Sequence, residues 1–328
     1  MWLDEARQAA LDAFRRALDD LCGDLLAEPD ATDVVFIPPR LGGAECTVVT
    51  LVRAVPVVRR TVSMHDLGDV LALLAGLCRR ELHGSAPVLD VVLPDGGERV
   101  HATVPPAAVG PHLTIRKPYA GMPTLDDLAA RGMMDGRQLK VLKRFAADPE
   151  VSIVVSGMVN SGKTTLFRAM LTEPRFFDAM PVICQDPFEF QPPPPLALPL
   201  NADPFGEGGL DLERLVADGL REPGSSLSVG ETRRGEVVNV IAGWNAGYKG
   251  ITTLHAPNAG AVPSRIAQMV AMGGAAVDEF QRAAIAQSIN IIVHVARDEA
   301  RRPRVREIVR LESWDAKIPA MRDAAEGW

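Results

Sequence analysis

One stretch decides how this chain folds: Gly157-Met158-Val159-Asn160-Ser161-Gly162-Lys163-Thr164, called the phosphate loop below. It matches the pattern Gly-x-x-x-x-Gly-Lys-Ser/Thr in full, it follows the apolar run Val151–Ser156, and a helical pattern continues from it to about Thr172. A strand, a glycine-rich turn and a helix in this order form the context in which the pattern cradles a phosphate chain. The glycines let the backbone wrap around the phosphates, and the helix N-terminus adds its positive dipole end.

The motif gives its polar residues distinct predicted roles. Lys163 is expected to neutralise charge on the outer phosphates, and the hydroxyl of Thr164 is expected to bind Mg²⁺. The sequence therefore predicts a site for a nucleotide and a magnesium ion. The residues of this segment that we predict to bind the nucleotide are Gly157, Asn160, Ser161, Gly162, Lys163, Thr164 and Thr165.

Strands and helices alternate through the rest of the second half. This alternation predicts a mostly parallel sheet with helices on both faces. Residues Ile318–Trp328 are predicted to form a mobile tail. Further strands are predicted at Pro181–Cys184, Leu227–Val229, Ile251–Leu254 and Ile289–Val295, and helices at Leu210–Leu220, Glu236–Ala246, Ala261–Met272 and Val277–Ser288.

Acidic and imidazole side chains follow three of these predicted strands. Asp186 and Glu189 come after the first strand, Glu231 after the second and His255 after the third. Because the carboxyl ends of parallel strands face the ligand crevice, these side chains should converge on the bound phosphates. Glu231 is predicted to position the attacking water, and His255 is predicted to detect whether a γ-phosphate is present.

The first half predicts a smaller α/β domain. An amphipathic helix is expected over Trp2–Leu26, β-rich runs between Asp33 and Val62, and a helix over Asp66–Leu82. The turn residues Pro94–Gly97 predict a hairpin between two later strands. The predicted domain limits are residues 1–117 for the first domain, 118–135 for a linker and 136–328 for the second domain.

Composition and charge exclude several classes of protein. The chain has 328 residues, of which 47% are hydrophobic and 23% charged, which is typical of a globular protein. No apolar run approaches the roughly 20 residues that span a bilayer, and the acidic residues near the start argue against a signal peptide. The net charge of −7 argues against a free-standing nucleic-acid binder. A local basic surface stays open as an alternative at Arg297, Arg301, Arg302, Arg304, Arg306 and Arg310.

Taken in order, these segments resemble the secretion-superfamily traffic ATPases, the hexameric motors of type IV secretion, conjugation, type II secretion and type IV pili. The phosphate loop corresponds to Walker A, Asp186–Glu189 to the family's Asp box, and Thr253–Ala256 to its His box. Gly230-Glu231 keeps the family's unusual Walker B, which has glycine where other P-loop proteins have aspartate. Within the family the chain is most similar to the short conjugal-transfer ATPases, whose pattern is echoed in Arg131–Met134 and Ala242–Gly247.

The resemblance implies a fold and an activity. The fold would be α/β, with a RecA-like P-loop NTPase domain of mostly parallel sheet preceded by a smaller α/β domain. The activity would be Mg²⁺-dependent ATP hydrolysis, with ATP and Mg²⁺ as cofactors, in a hexameric ring that powers substrate translocation or pilus assembly. The ring would lie in the cytoplasm at the inner membrane and bind inner-membrane secretion components. Peripheral membrane association stays open, and direct nucleic-acid binding is not expected.

The resemblance also implies roles for individual residues. Arg99 and Arg116 match arginines that approach the nucleotide, which would lie between the two domains of one subunit and near its neighbour. Arg233 matches an arginine that couples subunits, and Glu231 is expected to contact Mg²⁺ through water. The predicted catalytic residues are Lys163, Asp186, Glu189, Glu231, Arg233 and His255.

Some positions depart from the family's pattern. Gln185 replaces a glutamate of the Asp box, Pro223 follows a segment that lacks an expected arginine, and Asn160 fills a variable position of the phosphate loop. Ser226 and Ser228 occupy strand positions where aliphatic residues are usual. The departures at Gln185 and Pro223 motivate a second hypothesis, a nucleotide-binding assembly or regulatory subunit with little hydrolysis.

Overall fold

The computed structural model describes residues 3–39, 43–52, 55–118, 121–186, 193–202, 210–314 and 319–324. The chain divides into two compact units, Met1–Tyr119 and Ala120–Trp328, called the N-unit and the C-unit below. Within the described ranges no helix combines the length and the apolar composition needed to cross a membrane.

The N-unit is a six-stranded antiparallel sheet with two helices. The strand order is β3-β2-β1-β6-β5-β4. Pairing of β4 with β5 confirms the hairpin that the turn residues predict. The elements are α1 (Glu5–Ala27), β1 (Ala31–Ile37), β2 (Glu45–Val52), β3 (Val55–Ser63), α2 (Met64–Leu77), β4 (Val88–Val92), β5 (Arg99–Thr103) and β6 (His112–Arg116).

Buried and accessible residues alternate along β5 and β6 of the N-unit. On β5 the side chains of Val100 and Ala102 are buried, and on β6 those of Leu113 and Ile115 are buried. The residues between them, including Arg99, are at least partly accessible. Successive side chains of a strand point to opposite faces, so β5 and β6 present an apolar face and a polar face.

The C-unit is built around an eight-stranded sheet. Its order is β14-β13-β12-β7-β11-β10-β8-β9, in which the six strands from β12 to β9 are parallel and β13 and β14 are antiparallel. The prediction of a mostly parallel sheet is therefore confirmed. The elements are α3 (Leu125–Ala130), α4 (Gly136–Ala147), β7 (Ile153–Gly157), α5 (Lys163–Met170), α6 (Pro174–Phe177), β8 (Pro181–Gln185), β9 (Leu198–Asn201), α7 (Leu212–Gly219), β10 (Ser226–Val229), α8 (Val237–Asn245), β11 (Ile251–Leu254), α9 (Val262–Met272), α10 (Glu279–Ser288), β12 (Ile291–Arg297), β13 (Pro303–Ser313) and β14 (Ala320–Asp323).

Helices cover both faces of the parallel strands. Every residue of β7, β8, β10 and β11 is buried. Ile153 and Val155 belong to one apolar cluster together with Phe167 of α5, whereas Val154 belongs to a second cluster together with Trp244 of α8. Because successive strand residues face opposite sides of the sheet, the two clusters fill its two faces.

Two stretches concern the predicted linker and the predicted tail. The segment 118–135, predicted to be a linker, includes α3, whose Leu125 and Leu128 are buried in an apolar cluster of the C-unit. The prediction of a mobile tail is wrong for residues 320–323, because β14 there pairs with β13. Backbone hydrogen bonds from a partner strand, rather than local propensity, order this short segment.

Candidate functional site

The site is assembled where parallel strands of the C-unit end. The phosphate loop follows β7, Asp186 follows β8, Glu231 follows β10 and His255 follows β11. The strands are in register at this edge, since Leu254 pairs with Ser156 and Val229 with Thr252. Loops leaving this edge therefore begin side by side.

The backbone of the phosphate loop requires glycine at two positions. Gly157 has φ of 158°, and a Cβ there would overlap the carbonyl oxygen of Val295 on β12. Gly162 has φ of 103°, and its Cβ would lie 2.9 Å from Cβ of Pro303. Asn160 adopts the left-handed region at φ of 59°, which asparagine tolerates better than most residues.

The loop fits a bound phosphate chain. Helix α5 begins at Lys163 without a side-chain cap from Gly162, so its first N–H groups and its dipole face the loop. The hydroxyl of Ser161 is buried and has no hydrogen-bond partner within the described residues. Thr164 and Thr165 lie in the first turn of α5. A buried hydroxyl, an uncapped helix start and an ammonium group suit an anion, and the Thr164 hydroxyl suits Mg²⁺, which prefers oxygen ligands.

Four side chains form a connected chain across this edge. Lys163 Nζ lies 3.3 Å from His255 Nδ1, and it also donates a hydrogen bond to the carbonyl oxygen of Met158 at 3.0 Å. His255 Nε2 lies 3.1 Å from Glu231 Oε1. Arg233 meets both carboxylate oxygens of Glu231, each at 3.1 Å. The structure thus brings together four predicted residues from three separate loops.

The surroundings shift the protonation of two of these groups. Burial raises the pKa of Glu231, but the hydrogen bond and charge of Arg233, with the charges of His255 and Lys163, outweigh burial and lower it below the usual glutamate value. Burial and the positive charge of Lys163 lower the pKa of His255, although Glu231 opposes them. Near pH 7 the carboxylate is therefore ionised and the imidazole is neutral.

Hydrogen bonds around β10 and β11 hold the loop that carries Glu231. Thr253 Oγ1 donates to the carbonyl oxygen of Gly230 at 2.8 Å, and the N–H of Thr232 donates to the carbonyl oxygen of Thr253 at 2.8 Å. Farther on, Glu236 accepts from the N–H groups of Arg233 and Arg234. Sequence reasoning missed Glu236, although its position three residues after Arg233 suits a carboxylate that binds local N–H groups.

The other predicted site residues belong to other elements. Asp186 is exposed at the end of β8. Glu189 lies outside the described residues. In the N-unit, Arg99 and Arg116 are cross-strand neighbours on β5 and β6, and Arg116 Nε donates to buried Asp33 at 2.7 Å.

Sequence reasoning also missed a buried histidine behind the phosphate loop. His294 of β12 pairs in register with Ser156 of β7, and its Nδ1 lies 3.0 Å from the Ser156 hydroxyl. Ser156 directly precedes Gly157, so this contact fixes the strand end from which the loop departs. The sequence holds no local signal for it, because the two residues are 138 positions apart.

Three of the arginines considered as a basic surface have contacts with neighbouring residues of the C-unit. Arg304 Nε lies 3.0 Å and Arg302 Nε 3.5 Å from Asp298 Oδ2. The Arg310 guanidinium lies 5.6 Å from the ring centre of Phe145. These three arginines therefore have partners within the C-unit.

Comparisons with known proteins identify the family and match the fold. The family described as "Type II/IV secretion system protein" matches residues 69–319. Conjugal transfer protein TrbB of Rhizobium radiobacter is 30% identical over 250 residues, which cover 75% of this chain and 74% of the relative. Putative conjugal transfer protein MT3759 of Mycobacterium tuberculosis (strain CDC 1551 / Oshkosh) is 33% identical over 275 residues, covering 79% and 75%. The X-ray structure of the Legionella pneumophila ATPase DotB shares the fold, with a TM-score of 0.62 at 19% identity over 91% of this chain and 80% of that one.

Proposed function

This chain belongs to the type II/IV secretion system protein family, and from that premise we propose that it is an ATP-hydrolysing hexameric motor of a conjugative or type IV secretion system. The observation that carries the proposal is the contact chain from Lys163 through His255 to Glu231 beside the phosphate loop. It supplies a phosphate-binding cation and an ionised carboxylate at one edge of the sheet. Hydrolysis would drive substrate translocation or pilus assembly.

The phosphate loop binds the triphosphate in this proposal. Its N–H groups and the uncapped start of α5 surround the phosphates, and the buried Ser161 hydroxyl gains a partner. Lys163 gives up its hydrogen bond to the Met158 carbonyl oxygen and binds phosphate oxygens instead. Thr164 would hold Mg²⁺ together with Glu231 acting through water, and the ion would supply positive charge against the phosphates.

Glu231 positions the attacking water. Its pKa is lowered chiefly by Arg233, against the effect of burial, so the carboxylate is available as a hydrogen-bond acceptor at neutral pH. Contacts from Arg233 and His255 on its oxygens fix the orientation of the carboxylate. Arg233 also offers positive charge for coupling to a neighbouring subunit, and Asp186 and Glu189 assist around the metal.

His255 senses the γ-phosphate. Its lowered pKa keeps the imidazole neutral near pH 7, so one ring nitrogen donates and the other accepts. In this proposal Nε2 carries the proton and donates to Glu231, while Nδ1 accepts from Lys163. When phosphate draws Lys163 away, Nδ1 loses the hydrogen bond from Lys163. Because the other ring nitrogen of His255 contacts Glu231, loss of the Lys163 contact also affects the Glu231 carboxylate.

Partners and location follow from the family. Relatives of this chain are named conjugal transfer proteins, which supports a place in a machine that moves macromolecules across the envelope. We propose a homohexameric ring at the cytoplasmic face of the inner membrane, bound to inner-membrane components of that machine.

The test is Mg²⁺-dependent ATP turnover across a protein concentration series, with light scattering for particle mass. Turnover per subunit should rise as hexamer-sized particles appear. Glu231→Gln should bind ATP and lose turnover by a factor on the order of 10² to 10³. The matched control is Glu279→Gln, an exposed glutamate in the first turn of α10, which should keep wild-type turnover.

Two outcomes would contradict the proposal in different ways. ATP binding without turnover in wild type and Glu231→Gln alike would favour the nucleotide-binding regulatory subunit. Wild-type turnover in Glu231→Gln would remove Glu231 from its assigned role.

A further inference from the structure

An arginine from another strand contacts the middle of the phosphate loop. Arg297, the last residue of β12, donates a hydrogen bond from Nε to the carbonyl oxygen of Asn160 at 2.7 Å. The two residues are 137 positions apart. Asn160 has φ of 59°, so the contacted peptide lies at the point where the loop adopts its left-handed conformation.

The peptide between Asn160 and Ser161 is held at both of its polar ends. Its carbonyl accepts from Arg297, and its N–H, which belongs to Ser161, donates to the carbonyl oxygen of Met158 at 3.2 Å. Lys163 Nζ donates to that same Met158 carbonyl at 3.0 Å. The orientation of one peptide is therefore tied to the shape of the loop and to the resting place of Lys163.

Arg297 is itself held in place by the turn between β12 and β13. Its Nη1 donates to the carbonyl oxygen of Arg301. The turn is closed by a hydrogen bond from the N–H of Asp298 to the carbonyl oxygen of Arg302 at 2.9 Å, and Asp298 Oδ1 accepts from the N–H of Arg302 at 2.8 Å. Arg304 Nε adds a contact of 3.0 Å to Asp298 Oδ2. The guanidinium thus bridges two backbone carbonyls instead of pointing freely into solvent.

Strand β12 also packs against the first residue of the phosphate loop. Val295 pairs in register with Gly157, and its carbonyl oxygen occupies the space that a Cβ at Gly157 would need. The same strand therefore fixes where the loop begins and, through Arg297, how its middle is oriented.

We propose that Arg297 is a positioning residue for the phosphate loop. Its hydrogen bond fixes the Asn160–Ser161 peptide and so keeps the loop in its phosphate-binding shape before nucleotide arrives. The role of Arg297 in nucleotide binding rests on the proposed function, whereas its role in ordering the phosphate loop does not. Charge-assisted hydrogen bonds exceed neutral ones in strength, and about 1.4 kcal/mol corresponds to a tenfold change in an equilibrium.

The experiment compares variants of the full chain by hydrogen–deuterium exchange without nucleotide. In Arg297→Ala, amides of residues 158–164 should exchange about tenfold faster than in wild type. Arg297→Lys keeps a cationic donor and should restore much of the protection, while Arg297→Met keeps the apolar stem and should not. The matched control is Arg322→Ala, which removes an arginine of the same sheet that pairs with Glu312 on the surface.

A second readout measures ATP affinity and the split between KM and kcat. Arg297→Ala should weaken ATP binding and raise KM about tenfold, with a smaller effect on kcat, because Arg297 contacts the loop and not the reacting atoms. A merely structural role would lower thermal stability without this split and without rescue by lysine.

Each result decides a separate claim. Unchanged exchange of residues 158–164 in both Arg297→Ala and Arg297→Met would overturn the inference. If Arg297→Ala does not fold, the contrast between Arg297→Lys and Arg297→Met decides instead. Wild-type protein that neither binds nor hydrolyses ATP would remove the proposed function, while the exchange comparison would still decide whether Arg297 orders the loop.

Discussion

The two sheets of this protein bury their strands in different ways. In the C-unit, every residue of the parallel strands β7, β10 and β11 is buried, whereas in the N-unit buried and accessible residues alternate along β5 and β6. A parallel sheet covered on both faces leaves no open position along its strands, so groups for chemistry lie after the strand ends. An antiparallel sheet with one open face carries polar side chains along the strands themselves.

This difference explains where single substitutions should matter most. Lys163, Glu231 and His255 meet only because three buried strands end at one edge. Arg99 and Arg116 lie side by side on one face of a sheet. We therefore expect substitutions at the strand ends of the C-unit to change chemistry, and substitutions on the open face of the N-unit to change local stability first.

The largest effect is expected for Lys163→Ala. Lys163 is 6% exposed and is the ammonium group of the phosphate loop, so turnover should fall by a factor on the order of 10² to 10³. ATP affinity should fall with it, because the same charge serves binding and reaction. Lys140→Ala, an exposed lysine of α4, is the control for losing a lysine. ATP binding as tight as in wild type would contradict the assignment.

The next effect tests how closely β12 packs on the loop. Gly157→Ala places a Cβ against the Val295 carbonyl at a φ that L-residues avoid, so the free energy of unfolding should fall by about 1–3 kcal/mol. Gly136→Ala is the matched control, since nothing lies within 4 Å of its Cβ position at the start of α4. That control should gain about 0.4–1 kcal/mol. Equal urea midpoints for the two variants would refute the difference in packing.

A smaller effect is expected in the N-unit. Arg116→Ala leaves the Asp33 carboxylate, which is 6% exposed, without its guanidinium partner, and should lower the unfolding free energy by about 1–2 kcal/mol. Thr32 still donates to Asp33, which limits the loss. Arg322→Ala breaks a surface pair with Glu312 and should cost about 0–1 kcal/mol. Thermal unfolding of both variants measures the contrast, and equal losses would show that burial of the carboxylate does not decide it.

The smallest effect is a pH dependence of stability in the C-unit. Burial lowers the pKa of His294 from its ordinary value of 6.5, against the attraction of Glu307. The unfolded chain therefore binds this proton more readily than the folded one, and stability should decline as the pH falls below about 6.5. In His294→Gln the decline should be shallower, with His255 accounting for part of what remains. An identical pH profile of urea midpoints in both proteins would rule out this contribution.

The sequence predicted the parts of the fold that depend on local pattern. The phosphate loop, the helix after it and the parallel strands β7, β8, β10, β11 and β12 follow from glycine positions, apolar runs and turn residues, whereas the parallel strand β9 was not predicted. The hairpin of β4 and β5 follows from its turn. By contrast, β14 was missed, because a four-residue strand such as Ala320–Asp323 is ordered by pairing with β13 and carries little signal of its own.

The candidate site divides in the same way. The identities of its residues could be predicted from the sequence, since Lys163, Glu231 and His255 each follow a predicted strand. The contacts between these residues could not be predicted, because Lys163 and His255 are 92 residues apart and Arg297 and Asn160 are 137 residues apart. Nor could the sequence show that His294 supports Ser156 from the neighbouring strand.

By itself, then, the sequence determined which groups are available for phosphate chemistry and that a buried parallel sheet presents them. Only the tertiary structure decided that β11 and β12 flank β7, which sets His255 against Lys163 on one side and Arg297 against the loop on the other. The physical reason is that glycine conformation, helix starts and strand periodicity are local properties of the chain. Strand order and side-chain contacts across the sheet arise from long-range packing, which no local pattern specifies.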